Sequence, residues 1–357
     1  MADYDYGNAR LRAMKSRLLS RREIQALAEV GSLQGLITAL TSTAYRKPIE
    51  AALARTSGMD CIAESLRNDL INTLGKIRQF YSGEAGDIVA IVLRTCDIHN
   101  LKTILRGLSR DIPAGEIPAI LLPVGDLDSS TLVELTRSPG PRGAIDLLAS
   151  MNMPIVQPLL KLRAEHPGAD IFEMELALDQ WYYREARQYL ENSHADDLMS
   201  SALKLDADIA NILTVLRFAH APAEHKIISQ RFETGDLTRL LVGPGRLPFT
   251  LLAQAGGQDT VEAAVNILAG TVYEPPLRLG LEAYTKSNRL SDLEKQLRRF
   301  RLAWMSTLIA KDPLGIGVVL GYMALKINEV SNIRWIALGI NLGLNSASIK
   351  VDLEFIA

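Results

Sequence analysis

Apolar residues recur along almost the whole chain at spacings of three and four, and hardly any stretch alternates with period two, which predicts an all-α protein. Leu11, Met14 and Leu18 mark one helical stripe near the start, with Arg10, Arg17 and Arg21 on another face. Leu66, Leu70, Leu74, Ile77 and Tyr81 predict a further helix, for which Gly83 is the expected stop because glycine tolerates the left-handed C-terminal conformation. Ile88, Val89, Val92, Leu93 and Ile98 continue the same spacing. The longest apolar candidate, Pro313 to Leu325, ends at Lys326. It falls short of the roughly 20 residues a helix needs to cross a bilayer and reads as a buried core helix.

Superimposed on this periodicity is a long repeat. Asp97-Ile98-His99-Asn100-Leu101, Asp208-Ile209-Ala210-Asn211-Ile212 and Glu329-Val330-Ser331-Asn332-Ile333 share an acidic residue, two others, Asn, then Leu or Ile. Arg106, Arg217 and Arg334 follow on the same stretches. Self-similarity over such intervals outranks local motifs and predicts one helical module used three times, with approximate threefold symmetry. Gly125-Asp126-Leu127 and Gly235-Asp236-Leu237 follow the first two copies. A weaker echo follows each: Leu135 to Pro141 precedes an apolar helix at Ile145 to Met151, and Leu240 to Gly245 precedes one at Phe249 to Ala255. Leu27 to Gly31, with Leu36, Ile37 and Leu40, fills the same slot at the N-terminal end. Prolines at 113, 118, 123, 222, 275 and 276 punctuate the chain where three modules need breaks. The expected modules are 1–110, 111–225 and 226–357.

On a helix, positions i and i+3 share a face, so each acid lies beside its Asn. Buried together, they need partners, most economically backbone groups of a neighbouring loop or the arginine further along, and satisfying them fixes how two helices register. This makes Asp97, Asn100, Arg106, Asp208, Asn211, Arg217, Glu329, Asn332 and Arg334 a structural signature. A metal or acid/base site would instead need other ligands converging three times over.

Composition narrows the function classes. With 39 basic and 41 acidic residues the net charge is −2, without the basic surplus that displaces counterions from nucleic acid. Two cysteines, Cys61 and Cys96, provide no disulfide framework and fit a reducing compartment. The N-terminal arginines follow Asp3 and Asp5, which disfavours a transit peptide, and no signal peptide is expected. His99, His166, His194, His220 and His225 form no metal-ligand spacing, so no metal or other cofactor is expected. Gly315-Ile316-Gly317-Val318-Val319-Leu320-Gly321 misses the dinucleotide fingerprint by one residue and reads as a close helix-packing seam. Asp196-Asp197-Leu198-Met199-Ser200 is similar to the magnesium motif of all-α isoprenoid synthases but has Ser200 for its last aspartate and no second copy. A solvated or capping pair is the simpler reading. No nucleophile motif is present, and no enzymatic activity is expected.

Several runs resemble the C subunit of bacterial and archaeal V/A-type rotary ATPases, the counterpart of the d subunit of eukaryotic V-ATPases. They are Tyr4 to Leu19, Leu40 to Tyr45, Asp97 to Arg106, Glu175 to Asp179, Asp208 to Arg217, and the C-terminal set Asp312 to Gly317, Gly321-Tyr322, Lys326, Glu329 and Asn332 to Arg334. The likeness spans essentially the whole chain in order. It departs at Ile327, where the family often has Glu, and in the third module, which lacks the arginine seen at Arg106 and Arg217. The resemblance implies a three-lobed, funnel-shaped, non-catalytic helical protein on the cytoplasmic face of a membrane. It would sit on the proteolipid ring as a peripheral subunit, receive the central shaft made of the D and F subunits, and carry torque between ATP turnover and ion translocation. Arg10, Arg17 and Arg21 are possible interface residues in that setting. A helical-repeat scaffold unrelated to an ATPase is the alternative.

Overall fold

A computed structural model describes residues 3–193, 197–221 and 237–355. His194, Asp196, Pro222, His225, Gly235 and Asp236 lie outside the described residues. Among those described, every regular element is helical. After α1 (Asp5–Lys15) come three short helices, α2 (Arg21–Leu27), α3 (Leu33–Leu40) and α4 (Arg46–Leu53), then the long pair α5 (Gly58–Phe80) and α6 (Gly83–Ser109). The same order returns as α7 (Ser129–Thr136), α8 (Pro141–Ser150) and α9 (Gln157–Glu165), then the long α10 (Ile171–Asn192) and α11 (Asp197–His220). It returns again as α12 (Phe249–Gly256), α13 (Val261–Ile267) and α14 (Glu274–Ser287), then α15 (Ser291–Lys311) and α16 (Gly317–Asn341). A final α17 covers Ser346–Asp352.

Contacts group the chain into two compact units, Met1–Met153 with Met305–Ala357, and Pro154–Trp304. In the first, the core joins Ile24, Leu36, Ile37, Leu40, Ile49, Ile62 and Leu66 to Val330, Ile333, Ile336, Ile349 and Leu353. In the second, Phe218 packs with Leu237 and Leu240. No helix of the described residues is long and apolar enough to cross a membrane.

Local sequence explains where helices stop. The stripe through Leu11, Met14 and Leu18 does not stay on one helix, because α1 ends at Lys15 and α2 begins at Arg21. Ser20 and Glu23 form a reciprocal capping box that starts a new helix and leaves Leu18-Leu19 outside both. Arg10 therefore belongs to α1, Arg17 to the link and Arg21 to α2. Gly83 takes φ +55° at the turn between α5 and α6 rather than capping α5, whose last turn runs directly into extended Tyr81.

The two runs most like the rotary-ATPase family touch each other. Asn8 Nδ2 donates to the carbonyl of Gly315 at 3.0 Å, Tyr81 OH donates to Asn8 Oδ1 at 2.8 Å, and Arg12 donates to the Pro313 carbonyl. Gly7 lies under the Tyr81 ring, where a Cβ would come within 2.2 Å of ring carbons. Farther along, α15 and α16 approach closely at glycines: a Cβ on Gly317 would lie 2.6 Å from the Leu308 carbonyl oxygen, and one on Gly321 2.5 Å from Ile309.

Candidate functional site

All six acid and Asn residues of the repeated motif are buried, and each pair is hydrogen-bonded to backbone: four bonds to one loop on α6 and on α11, three bonds to two separate segments on α16. On α6, Asp97 accepts from the backbone N–H of Asp126 (2.6 Å) and Leu127 (3.2 Å). Asn100 exchanges two bonds with the Leu122 backbone, donating to its carbonyl and accepting from its N–H, both at 2.7 Å. On α11, Asp208 accepts from Arg246 (2.9 Å) and Leu247 (3.1 Å), while Asn211 pairs with the Val242 backbone. On α16, Glu329 accepts from the Leu19 N–H, and Asn332 pairs with the Glu354 backbone at 2.9 Å in both directions. An Asn side chain has the donor and acceptor of a peptide group, so each clasp satisfies both backbone groups of one loop residue without a strand.

The loop in the second clasp lies further from its Asn than the loop in the first. Asp208 takes its donors from Arg246 and Leu247, the residues after Gly245, whereas Gly235 and Asp236 of the second Gly-Asp-Leu lie outside the described residues. Glycine is needed there because the backbone passes against the carboxylate: a Cβ on Gly125 would lie 2.1 Å from Asp97 Oδ2, and one on Gly245 1.8 Å from Asp208 Oδ1. Asn and its paired loop residue are 22 apart in the first clasp and 31 in the second, and the longer link displaces the register. Consequently α12 corresponds to α7 and α2, whereas the helix expected at Ile145 to Met151 corresponds to α13.

Leu19, Leu127 and Leu247 head equivalent segments, and a leucine follows each by 21 residues, at Leu40, Leu148 and Leu268. Five residues beyond these stand Tyr45, Met153 and Tyr273. Both tyrosines donate to the clasp carboxylate, Tyr45 to Glu329 and Tyr273 to Asp208, each at 2.7 Å. Burial first, then the adjoining carboxylate, pushes both phenol pKa values up, which keeps them protonated donors. The first clasp has methionine in that slot. Burial pushes Asp97 up to about 6, against the lowering effect of the Asp126 and Leu127 N–H groups.

Among the described residues, the third clasp alone holds a buried cation. Lys326, 5% exposed, donates to Tyr45 OH (2.9 Å) and Glu329 Oε1 (2.8 Å) and lies 2.7 Å from Asp69 Oδ2. Sequence reasoning missed Tyr45, Tyr273, Lys326 and Asp69 as clasp members. A repeated Thr-x-Tyr at Thr43-Ala44-Tyr45 and Thr271-Val272-Tyr273 was the available signal for the tyrosines.

Arg106, Arg217 and Arg334 are exposed on the outer faces of their helices, away from the buried clasps. Arg10, Arg17 and Arg21 are exposed and do not form one stripe: Arg10 lies over Phe80 at 5.5 Å and Arg21 over Phe355 at 4.9 Å, on different elements. Asp197 opens α11, where a carboxylate favours the helix dipole. Among the described residues no group of three or more His, Cys, Asp or Glu could hold a metal ion.

Fold and clasps together define an all-helical protein in which three long helices are each tied to non-helical backbone by a buried acid and Asn. Residues 7–351 match the ATP synthase (C/AC39) subunit family, and the chain belongs to it. It is 27% identical to the C subunit of the A-type ATP synthase of Methanococcoides burtonii, over 99% of this chain and 94% of that one. It is 25% identical to the corresponding A-type protein of Methanocaldococcus jannaschii, over 95% and 83%. The C subunit of the V-type ATP synthase of Deinococcus radiodurans is 25% identical, over 99% and 91%.

Proposed function

We propose that this chain is a non-catalytic central-stalk subunit of a V/A-type rotary ATPase, a socket that couples the central shaft to the membrane proteolipid ring. The observation that carries the reading is the family match along residues 7–351, shared with proteins named as the C subunit of such machines. Its partners are the D and F subunits of the shaft above and the ring below. It associates with the cytoplasmic face of the membrane through the ring, without lipid insertion and without nucleic acid.

The three modules, 1–110, 111–225 and 226–357, are arranged with approximate threefold symmetry as a funnel, and each clasp joins the long helix of one module to backbone at or beyond its boundary. Torque transfer demands that the wall of such a funnel not shear. The acid and Asn of each clasp serve that end, since sliding a long helix past its loop would strand buried polar groups at about 1–3 kcal/mol each. Holding the shaft and ring then falls to surface side chains, Arg10, Arg17 and Arg21 among the possible ones, acting together because an exposed ion pair contributes only about 0–1 kcal/mol.

Mild-detergent affinity purification of the tagged chain from its native membranes, followed by mass spectrometry, tests this. Recovery of the proteolipid ring, shaft and ATP-hydrolysing head supports the socket. A chain that emerges without ATPase subunits supports an independent helical scaffold instead.

A further inference from the structure

The third clasp differs from the other two in how its backbone partners are joined. In the first, Asn100 pairs with Leu122 and Asp97 with Leu127, five residues further along one loop. In the second, Asn211 pairs with Val242 and Asp208 with Leu247, again five residues further. In the third, Asn332 pairs with Glu354 and Glu329 with Leu19, two segments from opposite ends of the sequence. A loop that is continuous in two copies is assembled in the third from two pieces.

The two pieces are held differently. Leu19 lies between α1 and α2, and both helices are fixed in turn: α1 through Asn8 and Arg12, which donate to the Gly315 and Pro313 carbonyls, and α2 through buried Ile24 and Leu27. Glu354 follows α17, a helix of seven residues, which is too short to hold together in water without packing. Ile349 (1% exposed) and Leu353 (3%) anchor this segment in the core. Ile349 fills a notch at Gly339, where a Cβ would lie 2.6 Å from its Cγ1. Asn328 and Asn332 both donate to the Glu354 carbonyl at 2.9 Å. Lys350 pairs with exposed Glu29, and the Arg21 guanidinium lies over the Phe355 ring at 4.9 Å.

We propose that residues 345–355 form a releasable strap, which leaves α16 as one unit while Leu19 stays on Glu329. The cause is covalent continuity. In the first two clasps a loop that leaves its Asn pulls on the residues that hold the acid five positions on, so each clasp opens whole. In the third no peptide bond links the two pieces within the clasp, and release of the strap leaves Glu329 with Leu19, Tyr45 and Lys326. Gly343, at φ +72°, is the pivot where the chain turns off α16. Cooperative units of this kind let one part of a fold give way at a lower free energy than global unfolding. With the strap away, the Asn328 and Asn332 amides and the Gly339 notch face solvent, while Val330, Ile333 and Ile336 stay in the core.

The test is native-state hydrogen exchange of the full chain, read amide by amide with mass spectrometry at urea concentrations below the unfolding transition. The Ile349, Leu353 and Glu354 amides are expected to exchange at one common rate, at least about tenfold faster than Leu19, Leu122, Leu127 and Leu247. Asn332→Ala is expected to speed the three strap amides about tenfold more and to leave Leu19 within about threefold of its original rate, whereas Asn100→Ala should speed Leu122 and Leu127 together. Circular dichroism establishes that each variant is folded, and the urea series on the unaltered chain decides the matter even where a variant is not. Strap amides that exchange only with global unfolding overturn the proposal. So does a common rate for Glu354 and Leu19, which would make the two pieces one unit. Rates graded residue by residue toward Phe355 would mean fraying instead of release, and they overturn it as well.

Discussion

At Asp97 the carboxylate reaches its loop on a short arm, and Gly125 has to stand beside it; at Glu329 the arm is one methylene longer, and the residue in the glycine's register is Arg17. The short arm brings two consecutive backbone N–H groups onto one carboxylate, which only a glycine-bearing loop can approach closely enough to do. The longer arm takes one backbone N–H from Leu19 and gives its second oxygen to Tyr45 and Lys326. One clasp is thus held by backbone geometry, the other by a buried side-chain network. The acid-x-x-Asn motif is the same in both, so motif alone does not determine what a substitution will do.

The network should break hardest. Lys326→Met leaves Glu329 and Asp69 without their cation in the interior and is expected to destabilise the fold by about 3–5 kcal/mol, read from urea denaturation. An effect under about 1 kcal/mol would mean that the carboxylates reach water. Removing a phenol is the next largest change. Tyr273→Phe takes a hydrogen bond from the Asp208 carboxylate and is expected to cost about 1.5–3 kcal/mol. Met153→Phe, in the first clasp, where no phenol is present to lose, should cost far less.

Gly125→Ala forces a methyl group against Asp97 and should cost about 1–3 kcal/mol, whereas Arg17→Ala, in the same register, should fall within about 0.5 kcal/mol. Equal effects at the two positions would erase the distinction between a backbone-held and a side-chain-held clasp.

The smallest expected effect is a pH dependence confined to the first clasp. Asp97 in the folded protein is raised to about 6 from an ordinary 3.8, so the folded state binds the proton more readily than the unfolded state. The cost of its buried charge is fully present above pH 6 and is relieved as the pH falls toward 4. Relative to Asp97→Asn, the unaltered chain should therefore gain about 1 kcal/mol between pH 7 and pH 5. A difference between the two that stays flat across this range would mean that the Asp126 and Leu127 N–H groups outweigh the burial.

Much of this was legible in the sequence. Apolar spacing marked the helices, and three copies of acid-x-x-Asn marked the helices that carry the clasps, because i and i+3 geometry is local. The partners were less legible because they are not local. Gly235-Asp236-Leu237 matches Gly125-Asp126-Leu127 letter for letter, yet the loop seated on the Asp208 carboxylate is the one that carries Gly245. Leu19 precedes its acid by 310 residues, and no spacing rule connects the two. Ser20 and Glu23 did carry the start of α2, but a stripe of apolar residues running across the break concealed it.

That separation bears on the order in which the protein acquires its structure. Asp97 closes on Leu127 across 30 residues, whereas Glu329 must find Leu19 across 310, an added loop-closure cost of about 2 kcal/mol if the intervening chain is flexible. The core of α2 to α5 is completed by Val330, Ile333, Ile336, Ile349 and Leu353. During synthesis, the apolar faces of Ile24, Leu36 and Ile49 therefore emerge from the ribosome long before their partners do. Residues made first are among the last to be buried, and this stretch is where a chaperone or a protease would meet the nascent chain.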